Sequence, residues 1–271
     1  MRIGRNMARV LAAAGLGAGA LAFTALSPRA AALGQSGPQA TPPVPVVVEL
    51  FTSEGCSSCP PADAFLIDLA TKVAVPGARV ITLSEHVDYW DHDGWRDPFS
   101  SASFTARQTA YADRGGAGDV YTPEMIVDGE TAFIGSDRAA ARTAIIKAAS
   151  KPKAPVALAW SSAASPTASI DIAPNAATRR ASIVMAITED GLRSSVRGGE
   201  NAGRTIAHTS VTRRLSVVGQ TSADGSFHLE LPVKIDPGWN RPALRLVVFA
   251  QLSRHQITAA GAIDAPNAAG K

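Results

Sequence analysis

Two cysteines, Cys56 and Cys59, are separated by two serines and followed by two prolines. Because proline is tolerated in the first turn of a helix, this spacing places both sulfurs at a helix N-terminus. There the free amides and the helix dipole favour an anion, and a lowered thiol pKa makes a cysteine reactive. The sequence therefore predicts disulfide exchange, with Cys56 as the exposed nucleophile and Cys59 as the resolving thiol.

Two other interpretations of the cysteine pair remain open. One is a structural disulfide, although a bridge within a CxxC motif closes a very small loop and constrains the unfolded chain little. The other is a copper or zinc site formed by Cys56, Cys59 and His86, since His86 follows the second predicted strand. A histidine in such a position more often hydrogen-bonds a loop, so we predict no bound metal and no cofactor.

The dipeptide Thr122-Pro123 is the second feature of chemical interest. A proline just before a strand that abuts the thiol pair suits a cis peptide bond, which is essentially confined to proline. In the cis form the backbone of Thr122 would lie against the sulfurs, ready to pair with an extended peptide. Thr122 and Pro123 are therefore predicted to bind the substrate.

The hydrophobic pattern predicts the elements that position these residues. A buried strand over 46–51 is followed by a helix over 62–72 and a second strand over 79–83, so the two strands should be parallel. Further predicted elements are a helix over 100–114, a hairpin of strands 124–127 and 131–134, and a helix over 138–149.

The pattern changes near residue 152. Short apolar runs separated by Gly, Pro, Asn and Asp, with almost no helical periodicity, are typical of an antiparallel, sandwich-like region. Strands are predicted over 156–160, 168–172, 181–188, 204–218, 227–233 and 244–251. The chain is therefore predicted to contain an α/β domain over 46–151 and a β-rich C-terminal domain over 152–271.

The order of these elements and motifs resembles the thioredoxin-like superfamily. Residues 49–63, 86–90 and 121–125 resemble more closely an exported bacterial family that is catalogued as a domain of unknown function with a thioredoxin-like fold. This resemblance covers residues 45–260 or so, and it implies a thioredoxin-like α/β domain followed by a β-rich, sandwich-like region. It also implies disulfide chemistry, without identifying a substrate.

Glu49 becomes a candidate site residue through the same resemblance. Thioredoxins keep a buried acid near this position, seven residues before the first cysteine of this chain, where it helps to deprotonate the resolving thiol. The resemblance thus implies that Glu49 accepts the proton of Cys59. The alternative is an exposed glutamate at a strand edge.

The N-terminal residues predict export. Arg2, Arg5 and Arg9 precede an uncharged apolar run, and small residues end the segment 1–32, which is typical of a cleaved signal peptide. A retained membrane anchor is the alternative, but we expect no stable membrane span after cleavage. Residues 33–45, rich in Gly and Pro, are predicted to be a flexible leader, and the mature protein is predicted to be periplasmic or secreted.

Composition excludes several other classes. The chain has 26 Lys and Arg residues against 23 Asp and Glu residues, and four of the arginines lie in residues 1–32, so the remainder is close to neutral. Nucleic acid is therefore not a predicted partner. Two cysteines cannot build a disulfide-dense scaffold or a four-thiolate zinc site.

The sequence as a whole predicts an exported thiol–disulfide oxidoreductase that acts on protein thiols. Its predicted partners are a protein client and a redox partner, neither of which the sequence identifies. The alternatives are a copper- or zinc-binding or delivery module that uses Cys56, Cys59 and His86, and a non-enzymatic interaction protein with a passive disulfide.

Overall fold

The computed structural model describes residues 42–92, 94–115, 119–161 and 166–266. The predicted signal peptide and most of the predicted leader lie outside these residues. The α-helices of the described part are α1 (Pro60–Thr71), α2 (Ala102–Gly115) and α3 (Arg138–Ala149). No helix in the described ranges is long and apolar enough to cross a membrane.

The described strands are β1 (Val44–Thr52), β2 (Ala78–His86), β3 (Glu124–Val127), β4 (Thr131–Ile134), β5 (Ala154–Pro155), β6 (Ala157–Trp160), β7 (Thr167–Ile172), β8 (Ser182–Glu189), β9 (Leu192–Ser195), β10 (Thr205–His208), β11 (Val211–Gln220), β12 (Phe227–Pro232), β13 (Leu244–Gln251) and β14 (Ile257–Asp264). The predicted bounds of β3, β4, α3 and β13 are confirmed residue for residue. At α3 the reason is local: the Asp137 carboxylate caps the helix by accepting from the amides of Ala139 and Ala140.

Nine of these strands form one mixed sheet in the order β4-β3-β1-β2-β11-β8-β13-β14-β5. The strands β1 and β2 are parallel, and α1 connects them. The sheet also curls, so that β14 meets the β3–β4 turn although the two are far apart in the strand order. There the amide of Ile257, at the start of β14, donates to the Asp128 carbonyl at 3.0 Å. A three-stranded sheet, β12-β7-β6, and the hairpin β9-β10 complete the described strands.

The predicted fold class, an α/β thioredoxin-like domain followed by a β-rich, sandwich-like region, is wrong. The structure is β-rich, and its three described helices accompany a nine-stranded sheet that takes strands from both sides of residue 152. The reason is the edge of β2, which pairs with β11 more than a hundred residues later, with Ser84 aligned to Val211. Hydrophobic runs indicate that such strands exist, but they do not indicate which strand lies beside which.

One of the buried apolar clusters, like the large sheet, contains residues from both sides of residue 152. On one face of β1, Val46, Val48 and Leu50 pack with apolar side chains of α1 and α3. On the other face, Val47 belongs to a buried cluster that also contains Phe249 of β13 and other residues of β8 and β14. A third cluster joins the three-stranded sheet to β8 and β13. Apolar packing therefore continues across the predicted boundary near residue 152.

Substitutions at two glycines test the contact between the β3–β4 turn and the β13–β14 turn. Gly129, in the β3–β4 turn, has φ +68°, and a Cβ there would overlap the carbonyl of His255 in the β13–β14 turn. Gly77 has a similar φ of +75° but no atom within 4 Å of the corresponding Cβ position. We expect Gly77→Ala to lower the free energy of unfolding by about 1–2 kcal/mol, and Gly129→Ala by about 3–5 kcal/mol. Urea unfolding of both variants measures the difference, and equal losses would show that the two turns do not constrain each other.

Candidate functional site

The two cysteines lie where β1 leads into α1, and they form a disulfide with a Cα–Cα distance of 5.5 Å. Cys59 is the N-cap residue of α1, and its carbonyl accepts the amide of Asp63 at 3.1 Å. The expectation that Cys56 would be exposed is wrong, since Cys56 is 1% exposed and Cys59 is 0% exposed. The oxidised pair is therefore present, but neighbouring segments cover it.

The first covering segment contains Thr122 and Pro123. Their peptide bond is cis, as predicted, and the Thr122 carbonyl oxygen lies 3.8 Å from the Cys56 sulfur. The Ser58 hydroxyl lies 3.3 Å from the same sulfur and donates to the Thr122 carbonyl at 3.4 Å. The Trp90 indole N–H donates to the Thr122 hydroxyl at 2.8 Å, which fixes this segment against the disulfide.

The second covering segment is the connection between β9 and β10, residues 196–204, which we call the cover loop. The side-chain amide of its residue Asn201 is fully buried and donates to the carbonyls of Glu54 and Cys56 at 2.9 and 2.8 Å. The Glu200 carboxylate accepts the Ser57 amide at 2.8 Å. The cover loop thus binds the backbone immediately before and after Cys56.

Two imidazole–carboxylate pairs are buried around Glu54, in the β1–α1 turn that leads to Cys56. His86 Nδ1 is 2.7 Å from Asp97 Oδ2, and His208 Nε2 is 3.0 Å from Glu54 Oε1. The two imidazole rings meet edge to face at 4.9 Å between centroids. Each carboxylate has a second donor, because Asp97 accepts the Glu54 amide at 2.9 Å and Glu54 accepts the Trp95 indole N–H at 2.9 Å.

Asp63 is the fifth titratable member of this cluster. It is 4% exposed, and its Oδ1 accepts the Thr52 hydroxyl at 2.9 Å. Its other oxygen, like His86 Nε2 and His208 Nδ1, is buried without a hydrogen-bond partner among the described residues. We call Glu54, Asp63, His86, Asp97 and His208 the buried acid–histidine cluster.

The cluster shifts the pKa values of its members in different directions. Burial alone would lower the pKa of His86, but the carboxylates of Asp97, Asp63 and Glu54 together raise it by more, so the net shift is upward. Burial alone would raise the pKa of Asp97, but His86 and two backbone amides lower it by more. For Asp63, burial raises the pKa, and the nearby His208 and His86 offset this only in part. These shifts favour the charged form of the His86–Asp97 pair and the protonated form of Asp63.

Glu49 lies away from this cluster. Its carboxylate accepts from Arg107 and from the Tyr111 hydroxyl of α2, each at 2.6 Å. Leu50, its neighbour in β1, packs on the opposite face of the sheet with α1, the helix that Cys59 caps. Glu85 is buried beside Arg107, and burial, followed by the neighbouring Glu49, raises its pKa well above the usual range. The structure thus brings Cys56, Cys59, Thr122 and Pro123 together, while the role of Glu49 stays a prediction.

Sequence reasoning assigned no role to Asp63, Asn201 or His208. Asp63 has a local signal, since it is an acid among the buried apolar residues of α1, four positions after Cys59. Asn201 and His208 have no such local signal, because each lies more than 140 positions along the chain from its partner in the site, Cys56 or Glu54. As for the alternative metal site, no group of three or more His, Cys, Asp or Glu in the described ranges is arranged to hold a metal ion.

The site is therefore a CxxC disulfide site: the disulfide lies beside a cis-proline segment, and a buried acid–histidine cluster surrounds the adjoining β1–α1 turn. The chain belongs to the family described as "Protein of unknown function (DUF1223)", which matches residues 47–251. That match includes both cysteines, Asp63, Thr122, Pro123 and the cover loop. No curated protein has a matching sequence.

Two solved structures are similar to the chain. The X-ray crystal structure of protein AGR_C_4864 from Agrobacterium tumefaciens is 26% identical with a TM-score of 0.68, over 86% of this chain and 99% of that chain. The structure of HBP35 of Porphyromonas gingivalis is 18% identical with a TM-score of 0.63, over 84% of this chain and 79% of that chain. The second likeness shows the fold alone.

The cover loop is expected to control access to the disulfide. Asn201→Ala removes two hydrogen bonds, each contributing about 1 kcal/mol. A loss of about 2 kcal/mol corresponds to about 30-fold more of the open form, so dithiothreitol should reduce the disulfide about 10- to 30-fold faster. Arg197→Ala, an exposed change in the same loop, is the control and should leave the rate unchanged. Equal rates in all three proteins would mean that the loop does not limit access.

The charge of the His86–Asp97 pair predicts a pH dependence of stability. A raised His86 pKa contributes stability below the unfolded value near 6.5 and loses it as pH rises, whereas a lowered Asp97 pKa contributes stability above about 3.8. Asp97→Asn should therefore lower the free energy of unfolding by about 3–5 kcal/mol at pH 5, and by less at pH 9. Urea unfolding at both pH values measures this, with the exposed Asp113→Asn as control. A loss that is independent of pH would mean that His86 is neutral in the folded protein.

Proposed function

We propose that the chain is an exported thiol–disulfide oxidoreductase that acts on protein thiols through Cys56 and Cys59. The observation that carries this proposal is the oxidised pair at the first turn of α1, with the Thr122 carbonyl beside Cys56. Amides and the dipole at a helix N-terminus stabilise a thiolate, which is both the nucleophile and the leaving group of disulfide exchange. The sequence of residues 1–32 supports a periplasmic or secreted location, where such chemistry has substrates.

The exchange proceeds in two balanced steps. A client thiolate attacks the Cys56 sulfur, so that a client–Cys56 bond forms, the Cys56–Cys59 bond breaks, and Cys59 leaves as a thiolate that takes up a proton. A second client thiolate then attacks the client sulfur and releases Cys56, which leaves the client oxidised by two electrons. The same steps in reverse reduce a client disulfide, and the potential of the pair relative to its redox partner determines the direction.

The client has to reach a sulfur that is covered in this structure. Thr122 and Pro123 are proposed to hold an extended client segment beside Cys56. The cover loop has to move first, because Asn201 and Glu200 occupy the backbone carbonyl of Cys56 and the amide of Ser57. Because the pair is buried, we expect clients that displace the cover loop to react faster than small thiols, which do not displace it.

The same burial supports one other candidate function. A disulfide that is 1% and 0% exposed at its two residues is also what a passive, structural bridge in an interaction protein would show. Such bridges resist reduction and have low reduction potentials. The reduction potential therefore separates the two candidates.

The first experiment is the redox midpoint of the Cys56–Cys59 pair, measured in glutathione buffers with mass detection of alkylated thiols. We expect a value between about −120 and −270 mV, the range of oxidoreductases that exchange with clients. A value below about −300 mV would contradict the proposal and favour a passive bridge.

Cysteine variants provide the matched control for this experiment. Cys59→Ser retains Cys56 and removes the resolving thiol, so it should accumulate a mixed disulfide with a reduced and re-oxidising protein such as insulin. Cys56→Ser should accumulate none, because in the proposed exchange the client bonds to Cys56, and Cys59 acts only as the leaving and resolving sulfur. Equal trapping by the two variants, or no trapping by either, would count against Cys56 as the exchanging sulfur.

A further inference from the structure

The buried acid–histidine cluster contains three carboxylates, and they are not equally satisfied. Asp97 and Glu54 each pair with a histidine and also accept a second N–H group. Asp63 accepts one hydroxyl, from Thr52, and its Oδ2 is buried without a partner among the described residues. An acceptor oxygen left in this state costs free energy that a proton or a donor would recover.

Asp63 is also the member of the cluster that lies on α1, the helix that Cys59 caps. It follows Cys59 by four residues on α1, and helical residues with this spacing lie on the same side with Cβ atoms about 5–6 Å apart. Thr52, which binds Asp63, is aligned with His86 across the parallel strands β1 and β2. The ends of these strands therefore hold the first turn of α1, which carries Asp63, close to His86.

We propose that Asp63 is the proton acceptor of Cys59, and that the His86–Asp97 and His208–Glu54 pairs position it for that role. This inference rests on the proposed function, because it concerns the step in which Cys59 resolves a mixed disulfide. A base near Cys59 is needed there, since only the thiolate attacks a disulfide and a buried thiol ionises poorly.

The step is balanced. In the mixed disulfide between Cys56 and a client, the Cys59 thiol gives its proton to the Asp63 carboxylate. The Cys59 thiolate attacks the Cys56 sulfur, the Cys56–Cys59 bond forms, and the bond from Cys56 to the client breaks. The client sulfur leaves with the electron pair as a thiolate and is protonated, while Asp63 later returns its proton to solvent.

The surroundings of Asp63 suit a base that takes up a proton and later releases it. Burial raises the pKa of Asp63, which brings a carboxyl closer to the range in which it exchanges protons near neutral pH. The titratable groups facing it are His86 from β2, Asp97 from the following loop, His208 from β10 and Glu54 from the β1–α1 turn. The two histidines favour the anion that remains after the proton has left.

The experiment isolates the resolving step. The reduced protein is mixed with a chromogenic disulfide such as 5,5′-dithiobis(2-nitrobenzoate), and the second release of the chromophore reports attack by Cys59 on the Cys56 mixed disulfide. We expect Asp63→Asn to slow this second phase about 100-fold at pH 7 and to displace its pH profile upward toward that of an unassisted thiol. The first phase, which reports Cys56, should change little.

Three variants complete the test. Asp63→Glu should recover most of the rate, and it replaces Asp63→Asn should the latter fail to fold. Asp68→Asn changes an acid further along α1 that pairs with Lys72 and Arg138 at the surface, and it should match the wild type. A slow second phase in Glu49→Gln together with a normal one in Asp63→Asn would overturn the inference and support Glu49.

Failure of the inference and failure of the proposed function give different results. If the wild type exchanges with protein thiols and Asp63→Asn keeps the wild-type rate and pH profile, Asp63 is not the acceptor and the proposed function stands. If the wild type exchanges with no protein thiol, the proposed function fails, whatever the chromogenic assay shows.

Discussion

Between β2 and β11 the large sheet is joined at a single aligned pair of residues, and the site depends on that junction. The Ser84 amide donates to the Ser210 carbonyl at 2.8 Å, and the hydroxyls of Thr82 and Ser210 are 2.7 Å apart. His208 lies two residues before Ser210, and β10 leads back from it to the cover loop. The same junction therefore brings both a histidine and the residues that cover the disulfide to the end of β2.

The polar groups around a covered disulfide need hydrogen-bond partners, and the surrounding side chains supply them. The amide of Asn201 satisfies two carbonyls, and Trp90 and Trp95 donate to Thr122 and Glu54. With these groups satisfied, the free polar atoms of the described site are concentrated on Asp63 and the two histidines. The structure thus separates a hydrogen-bonded shell from a small interior whose buried polar atoms lack partners among the described residues.

Local features of this chain were predictable, and long-range ones were not. The bounds of α3, the hairpin and the cis bond at Pro123 follow from caps, turn residues and strand patterns within a few positions, and the structure confirms them. The α/β fold class failed because strand partners depend on packing between distant segments. The burial of Cys56 was missed for the same reason, since Asn201 covers it from 145 positions away. The acid four residues after Cys59 was within reach of helical periodicity, but it was not recognised.

The distance along the chain between Cys56 and Asn201 also sets an order of events during synthesis. At about 5–20 residues per second, the 145 positions that separate them take about 7–29 s to translate. In the later part of that interval the cysteines have left the ribosome, while the segment that covers them has not yet been synthesised. A nascent chain therefore exposes its cysteines before the cover loop exists, and the completed protein buries them.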